Sequence, residues 1–205
     1  MFDKALNDFL TVWVTIEPIG TLVLFASLSA RLSEAERRQV ALKAIIYSTS
    51  ILLGSIVVGQ VILSAMKVQL LSLQVAGGLI LLLFALQMIF GFSHAPTETP
   101  EAGHDIAVFP LAIPSIAGAE AIMVVVLLTD NHIYSILTQI VTAGVVILIM
   151  AITYGLMLLA KPILRVIGKN GAAILERITG MILAALAIEL IMEAIGVARW
   201  IGSKV

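Results

Sequence analysis

The chain has 205 residues, of which 60% are hydrophobic and 12% charged, with a formal net charge of −1 and no cysteine. That much apolar surface cannot be hidden in a water-soluble core of this length, so the surrounding solvent must be lipid. Without cysteine there is no disulfide framework, thiolate metal site or thiol redox centre, and the small net charge singles out no charged partner.

Crossing about 30 Å of hydrocarbon takes about 20 helical residues. The first stretch that qualifies is residues 9 to 30, apolar apart from Glu17. It follows Asp3, Lys4 and Asp8, lacks a basic leader and a small-residue cleavage site, and is too long for a signal peptide; it is expected to stay in the mature protein. Next, Ser33-Glu34-Ala35-Glu36 matches a capping box and is expected to start a short cytoplasmic helix or an extension of span two. Uncharged runs follow at residues 44 to 66 and 68 to 92. Residues 93 to 105 hold His94, Glu98, Glu101, His104 and Asp105 among Pro, Thr and Gly, a composition that reads as a solvated linker rather than a metal site. Residues 106 to 129 carry Glu120, residues 133 to 160 are uncharged, and residues 178 to 198 carry Glu189 and Glu193. Trp200 and Arg199 fit interfacial anchoring.

The expectation is therefore an all-α membrane protein with six transmembrane helices in a single domain over residues 1 to 205. No hydrophilic stretch approaches the roughly 50 residues of a soluble domain. Arg31, Arg37, Arg38 and Lys43 lie between spans one and two, and Lys161, Arg165, Lys169 and Arg177 between spans five and six; together they are 8 of the 12 basic residues. Basic loops stay in the cytoplasm, which places both termini outside.

The interval from Glu17 to Glu120 is 103 residues, the same as from Gly77 to Gly180. Ile19 with Ile122, Val23 with Val126 and Leu24 with Leu127 share that register. This suggests two three-helix repeats, about 5–92 and 106–198, joined by the linker 93–105. Three spans per repeat make the copies inverted, an arrangement in which transporters bind substrate near mid-membrane.

Both acids sit beside helix breakers. In Glu17-Pro18-Ile19-Gly20 the proline pushes Glu17 out of helical geometry and suits the first position of a new helix. In Pro114-Ser115-Ile116-Ala117-Gly118-Ala119-Glu120 a second break is expected, so that helices 1 and 4 are interrupted near mid-membrane and face each other across a polar chamber. The candidate substrate- or proton-binding set is Glu17, Pro18, Gly20, Ser115, Gly118, Ala119 and Glu120, with Glu189 and Gln87 in a second tier. The alternative is that the prolines only kink their helices and the acids only hold the packing; an acid at mid-membrane costs roughly 2.5 to 3.5 kcal/mol on insertion scales, which an aliphatic span can offset. Gln60, Gln74 and Gln139 read as interhelical hydrogen-bonders. Gly77-Gly78, Gly180 and the pair Ala151 and Gly155 read as close-packing faces.

Phosphate-cradling loops, HExxH, CxxC and nucleophile elbows are missing, so no enzyme is expected and no cofactor is implied. The absence of a basic, aromatic-rich face argues against nucleic acid. The expected partners are a small-molecule or ion substrate, the lipid bilayer and, in a homo-oligomer, further copies of the chain.

Four motifs, Glu17-Pro18-Ile19-Gly20, Val75-Ala76-Gly77-Gly78, Phe109-Pro110-Leu111-Ala112-Ile113-Pro114 running on to Gly118, and Gly168-Lys169-Asn170-Gly171, resemble the MarC family of bacterial and archaeal inner-membrane proteins. The resemblance implies six spans with outward termini and kinship with LysE-like exporters of small solutes, amino acids among them. Where the family usually has Asn, this chain has Glu17; where it has Gly-Pro, this chain has Gly118-Ala119 followed by Glu120. The function expected is secondary export of a small polar solute, such as an amino acid, by alternating access with proton coupling at Glu17 and Glu120. The runner-up is a divalent metal-cation transporter using the same two carboxylates, and a third reading is a membrane protein that transports nothing.

Overall fold

A computed structural model describes residues 2–67, 69–91 and 105–196, and every described element is helical. Of the linker residues, His94, Glu98, Glu101 and His104 lie outside the described part, as do Arg199 and Trp200. In chain order the elements are α1 (Phe2–Ile16), α2 (Pro18–Leu28), α3 (Glu34–Met66), α4 (Leu70–Phe90), an irregular segment Ala107–Ile116, α5 (Ala119–Leu128), α6 (Ile136–Leu158) and α7 (Ala160–Ala194).

Four stretches are long and apolar enough to cross a membrane: Phe2–Leu28, Glu34–Leu63, Leu71–Phe90 and Ile136–Leu158. The segment Ala107–Ile116 and α5, bent by 53° at their junction, make a fifth if they are counted as one span. The sixth expected span lies within α7. That helix does not meet the same standard, because its apolar part is confined between Arg177 and the helix end and holds Glu189 and Glu193.

Local sequence explains most of the boundaries. Ser33 Oγ accepts the Glu36 N–H at 3.3 Å while Glu36 Oε2 accepts the Ser33 N–H at 2.8 Å, a complete capping box. It starts the long α3 itself, and the 33 residues of that helix exceed the bilayer core and carry Arg37, Arg38 and Lys43 beyond it. Ser33→Ala is expected to lower stability by about 1 kcal/mol in a denaturant titration of the detergent-solubilised protein. Gly91 at φ 72 ends α4, as a residue without Cβ can. In α7 a kink falls at Gly168, whose φ of 69 is left-handed.

Helix α4 packs most extensively on α7. A Cβ on Gly78 would stand 3.0 Å from the Ala187 carbonyl, and one on Gly180 would stand 3.1 Å from the Ala85 carbonyl, so each glycine admits the backbone of the other helix. Gly155 differs from that expectation: a Cβ there would meet nothing within 4 Å, and Ala151 is exposed, so this pair makes no close contact among the described residues. Gln60 bonds α3 to the Val126 carbonyl of α5 at 3.1 Å, and Gln74 bonds α4 to Glu193 of α7 at 3.1 Å. Gln139 instead stays local, donating to Asn131 and to the Tyr134 carbonyl.

Two ion pairs gather three connections at one face. Lys161 at the start of α7 meets Glu34 at 2.6 Å, and Lys43 of α3 meets Asp105 at 3.1 Å. The Ala107 N–H first and Lys43 second hold the Asp105 carboxyl below the usual carboxylate range. Arg37 is buried on the same face, with its guanidinium 5.5 Å from the centre of the Phe25 ring.

Candidate functional site

Glu17 interrupts the first apolar stretch as a single residue in left-handed geometry, φ 50 and ψ 67, with Pro18 starting α2 behind it. Backbone bonds nevertheless carry across: the Glu17 N–H reaches the Trp13 carbonyl and the Thr21 N–H reaches the Glu17 carbonyl, each at 3.1 Å. The interruption is therefore one residue long, shorter than an open break, and α1 with α2 still qualifies as one span. Left-handed geometry suits asparagine better than glutamate, which fits the asparagine that the family resemblance implies here. The Glu17 carboxyl folds onto the first turn of α2, where a Cβ on Gly20 would come within 2.6 Å of both its oxygens. Only glycine leaves room for it there.

Span four is interrupted more strongly. Phe109 and Ile113 are extended, at φ −129 and −128, because each precedes a proline that excludes helical geometry. The Ala117 N–H bonds to the Ala112 carbonyl at 2.9 Å, and Gly118 is extended before α5 begins. Glu120 lies in the first turn of α5, and its carboxyl presses against Gly118, where a Cβ would collide with it. The two acids thus share one local design, a carboxylate folded over a glycine at the start of a half-helix. The positive end of each helix dipole favours that charge.

Packing of α1 on α5 and of α2 on α7 brings Glu17 into electrostatic range of Glu176 and of Glu120. Glu17 and Glu120 are each only 9% exposed. Glu17 Oε1 and Thr21 Oγ1 are buried with no hydrogen-bond partner among the described residues. Pro18 and Gly118 are buried, and Gly20 and Ser115 are half-buried at the same junctions, whereas Ala119 is exposed. Glu189 and Gln87 are also exposed, on α7 and α4, and do not join the acid pair. Among the described residues, no three His, Cys, Asp or Glu side chains are gathered as a metal site.

Sequence reasoning missed two groups. Thr21 lies one helical turn beyond Glu17, a spacing that could have flagged it, and Glu176 of α7 comes within electrostatic range with no sequence signal to announce it. The second group lies at the opposite end of α1. There Asp8, fully buried, holds Lys4 Nζ at 2.7 Å and accepts the Thr142 hydroxyl at 2.6 Å, with Lys4 4.1 Å above the Tyr134 ring. The i,i+4 spacing of Lys4 and Asp8 was the available signal.

Comparison with known proteins agrees with the membrane architecture. The sequence pattern of the family described as MarC family integral membrane protein matches residues 2–198. A UPF0056 membrane protein of Archaeoglobus fulgidus is 32% identical over 197 residues, spanning 92% of this chain and 90% of that protein. A UPF0056 membrane protein of Methanocaldococcus jannaschii is 31% identical over 192 residues, spanning 91% and 93%. The UPF0056 inner membrane protein YhgN of Escherichia coli K12 is 27% identical over 185 residues, spanning 90% and 91%. No solved structure matches the chain. With nearly its whole length covered, this chain belongs to the MarC family of integral membrane proteins.

Proposed function

We propose that the protein is a secondary transporter of the inner membrane that exports a small polar solute, such as an amino acid, by alternating access around Glu17 and Glu120, with proton coupling at the same carboxyls. The observation that carries this reading is the pair of buried acids, each folded over a glycine where an apolar span is interrupted. Intramembrane acids without a packing partner mark substrate or proton paths. In the six-span inverted arrangement, α7 supplies the last span and pairs with α4, its counterpart in the first repeat; Gly180 faces α4, whereas Gly77, its partner in the 103-residue register, faces Leu127 and Met123 of α5. The face gathering Arg37, Lys43 and Lys161 is then cytoplasmic, with both termini outside.

A divalent cation is the weaker reading. Hard cations take six or more oxygen ligands, typically with several acids in the first shell, and the described residues gather no such group. Reconstituted into vesicles under an imposed proton gradient, the protein is expected to move small polar solutes, and the Glu17→Gln/Glu120→Gln double variant to lose the pH-dependent flux. Undiminished proton-coupled transport by the double variant would reject the mechanism.

A further inference from the structure

We infer that the Glu17 site is built for an organic ammonium cation, bound between Glu17 Oε1 and Thr21 Oγ1, and that it disfavours a ligand carrying a carboxylate beside its amine. The inference rests on the transport reading above and narrows its small polar solutes to amines, setting aside the amino acid given there as an example.

Half-helix starts inside a membrane are the places where the carboxylate of an amino acid would be held, by free N–H groups and the dipole. Here the protein's own carboxyls occupy the space at both places. The Glu17 carboxyl covers the first turn of α2 at Gly20, and the Glu120 carboxyl covers the start of α5 at Gly118. A ligand carboxylate entering either place would meet like charge in a water-poor setting, where repulsion is strong.

The groups left over want a cation. Among the described residues no Lys, Arg or His forms a salt bridge to Glu17 or Glu120, while Glu17 feels two further acids, Glu176 and Glu120. Thr21 is 2% exposed, and its hydroxyl, one turn beyond Glu17 on the same helix face, is unpartnered like Glu17 Oε1. An ammonium group offers three donors, enough to serve both the carboxylate oxygen and the hydroxyl oxygen.

The test compares two ligands that differ only by the carboxylate. Purified protein in detergent is titrated with propylammonium chloride and, separately, with 2-aminobutyrate, with sodium, potassium and magnesium chlorides as controls, using calorimetry and thermal unfolding. Propylammonium is expected to raise the unfolding temperature and to bind at least about tenfold more tightly than 2-aminobutyrate. Glu17→Gln should abolish that binding, and Thr21→Val should weaken it by about threefold or more. The ligand comparison in the unmodified protein stands even if one variant fails to fold. Equal or tighter Glu17-dependent binding of 2-aminobutyrate would overturn the ammonium assignment and leave the Glu17 site standing. Glu17-dependent binding of an inorganic cation alone would likewise overturn it. If no ligand shows Glu17-dependent binding, both this inference and the site reading fall.

Discussion

Replacing Asp8 with alanine is expected to destabilise the protein by about 2 to 3 kcal/mol, because it strands the half-buried Lys4 ammonium without its counter-charge. In the intact protein Lys4 Nζ lies 2.7 and 2.9 Å from the two Asp8 oxygens, 3.2 Å from the Leu128 carbonyl and 3.3 Å from the Thr142 hydroxyl. The Tyr134 ring closes the remaining side at 4.1 Å. The carbonyl, the hydroxyl and the ring face cannot replace a full counter-charge. Removing both charges together, with Lys4→Met and Asp8→Leu, should return most of the lost stability, since apolar replacement of a whole buried pair is often near neutral. Unfolding midpoints in detergent decide the matter: a loss under about 1 kcal/mol for Asp8→Ala would mean that water reaches the pair and screens it.

The second large effect is expected at the α4–α7 contact. Gly180→Val should destabilise by about 3 kcal/mol, at the upper end of overpacking costs. The alanine carbon alone would stand 2.9 Å from Met88 Cβ and 3.1 Å from the Ala85 carbonyl, and backbone cannot swing aside as a side chain can. The helices must separate, which also opens the contact at Gly78 with Ile191 and the Ala187 carbonyl. Gly155→Ala is the control. Nothing lies within 4 Å of its new carbon, so replacing a mid-helix glycine there should be neutral or add up to about 1 kcal/mol. Equal unfolding midpoints for Gly180→Val and the unmodified protein would show that the two helices are not held at this spacing.

What could be read from the residues was whatever a local rule governs. Uncharged runs long enough for hydrocarbon gave helices, Ser33 and Glu36 gave a cap at the start of α3, and Pro18, Pro110 and Pro114 placed the interruptions beside Glu17 and before Glu120. Even the closeness of α4 and α7 was signalled by Gly78 and Gly180. The sixth span was less secure, because Arg177, Glu189 and Glu193 crowd α7.

Which side chain meets which was settled only by packing. Glu189 and Gln87 turn outward, Glu176 comes within electrostatic range of Glu17, and Asp8 is buried against α6 with Lys4 half-buried beside it. A helix in water shows its inward face by being apolar there and polar elsewhere, but helices such as α4 and α6 are apolar on nearly every side, because lipid and core are alike as solvents for Leu, Ile and Val. With that contrast missing, the order of residues fixes where the chain crosses, bends and starts again, and the fit of helix against helix chooses which of its few polar groups come to share a site.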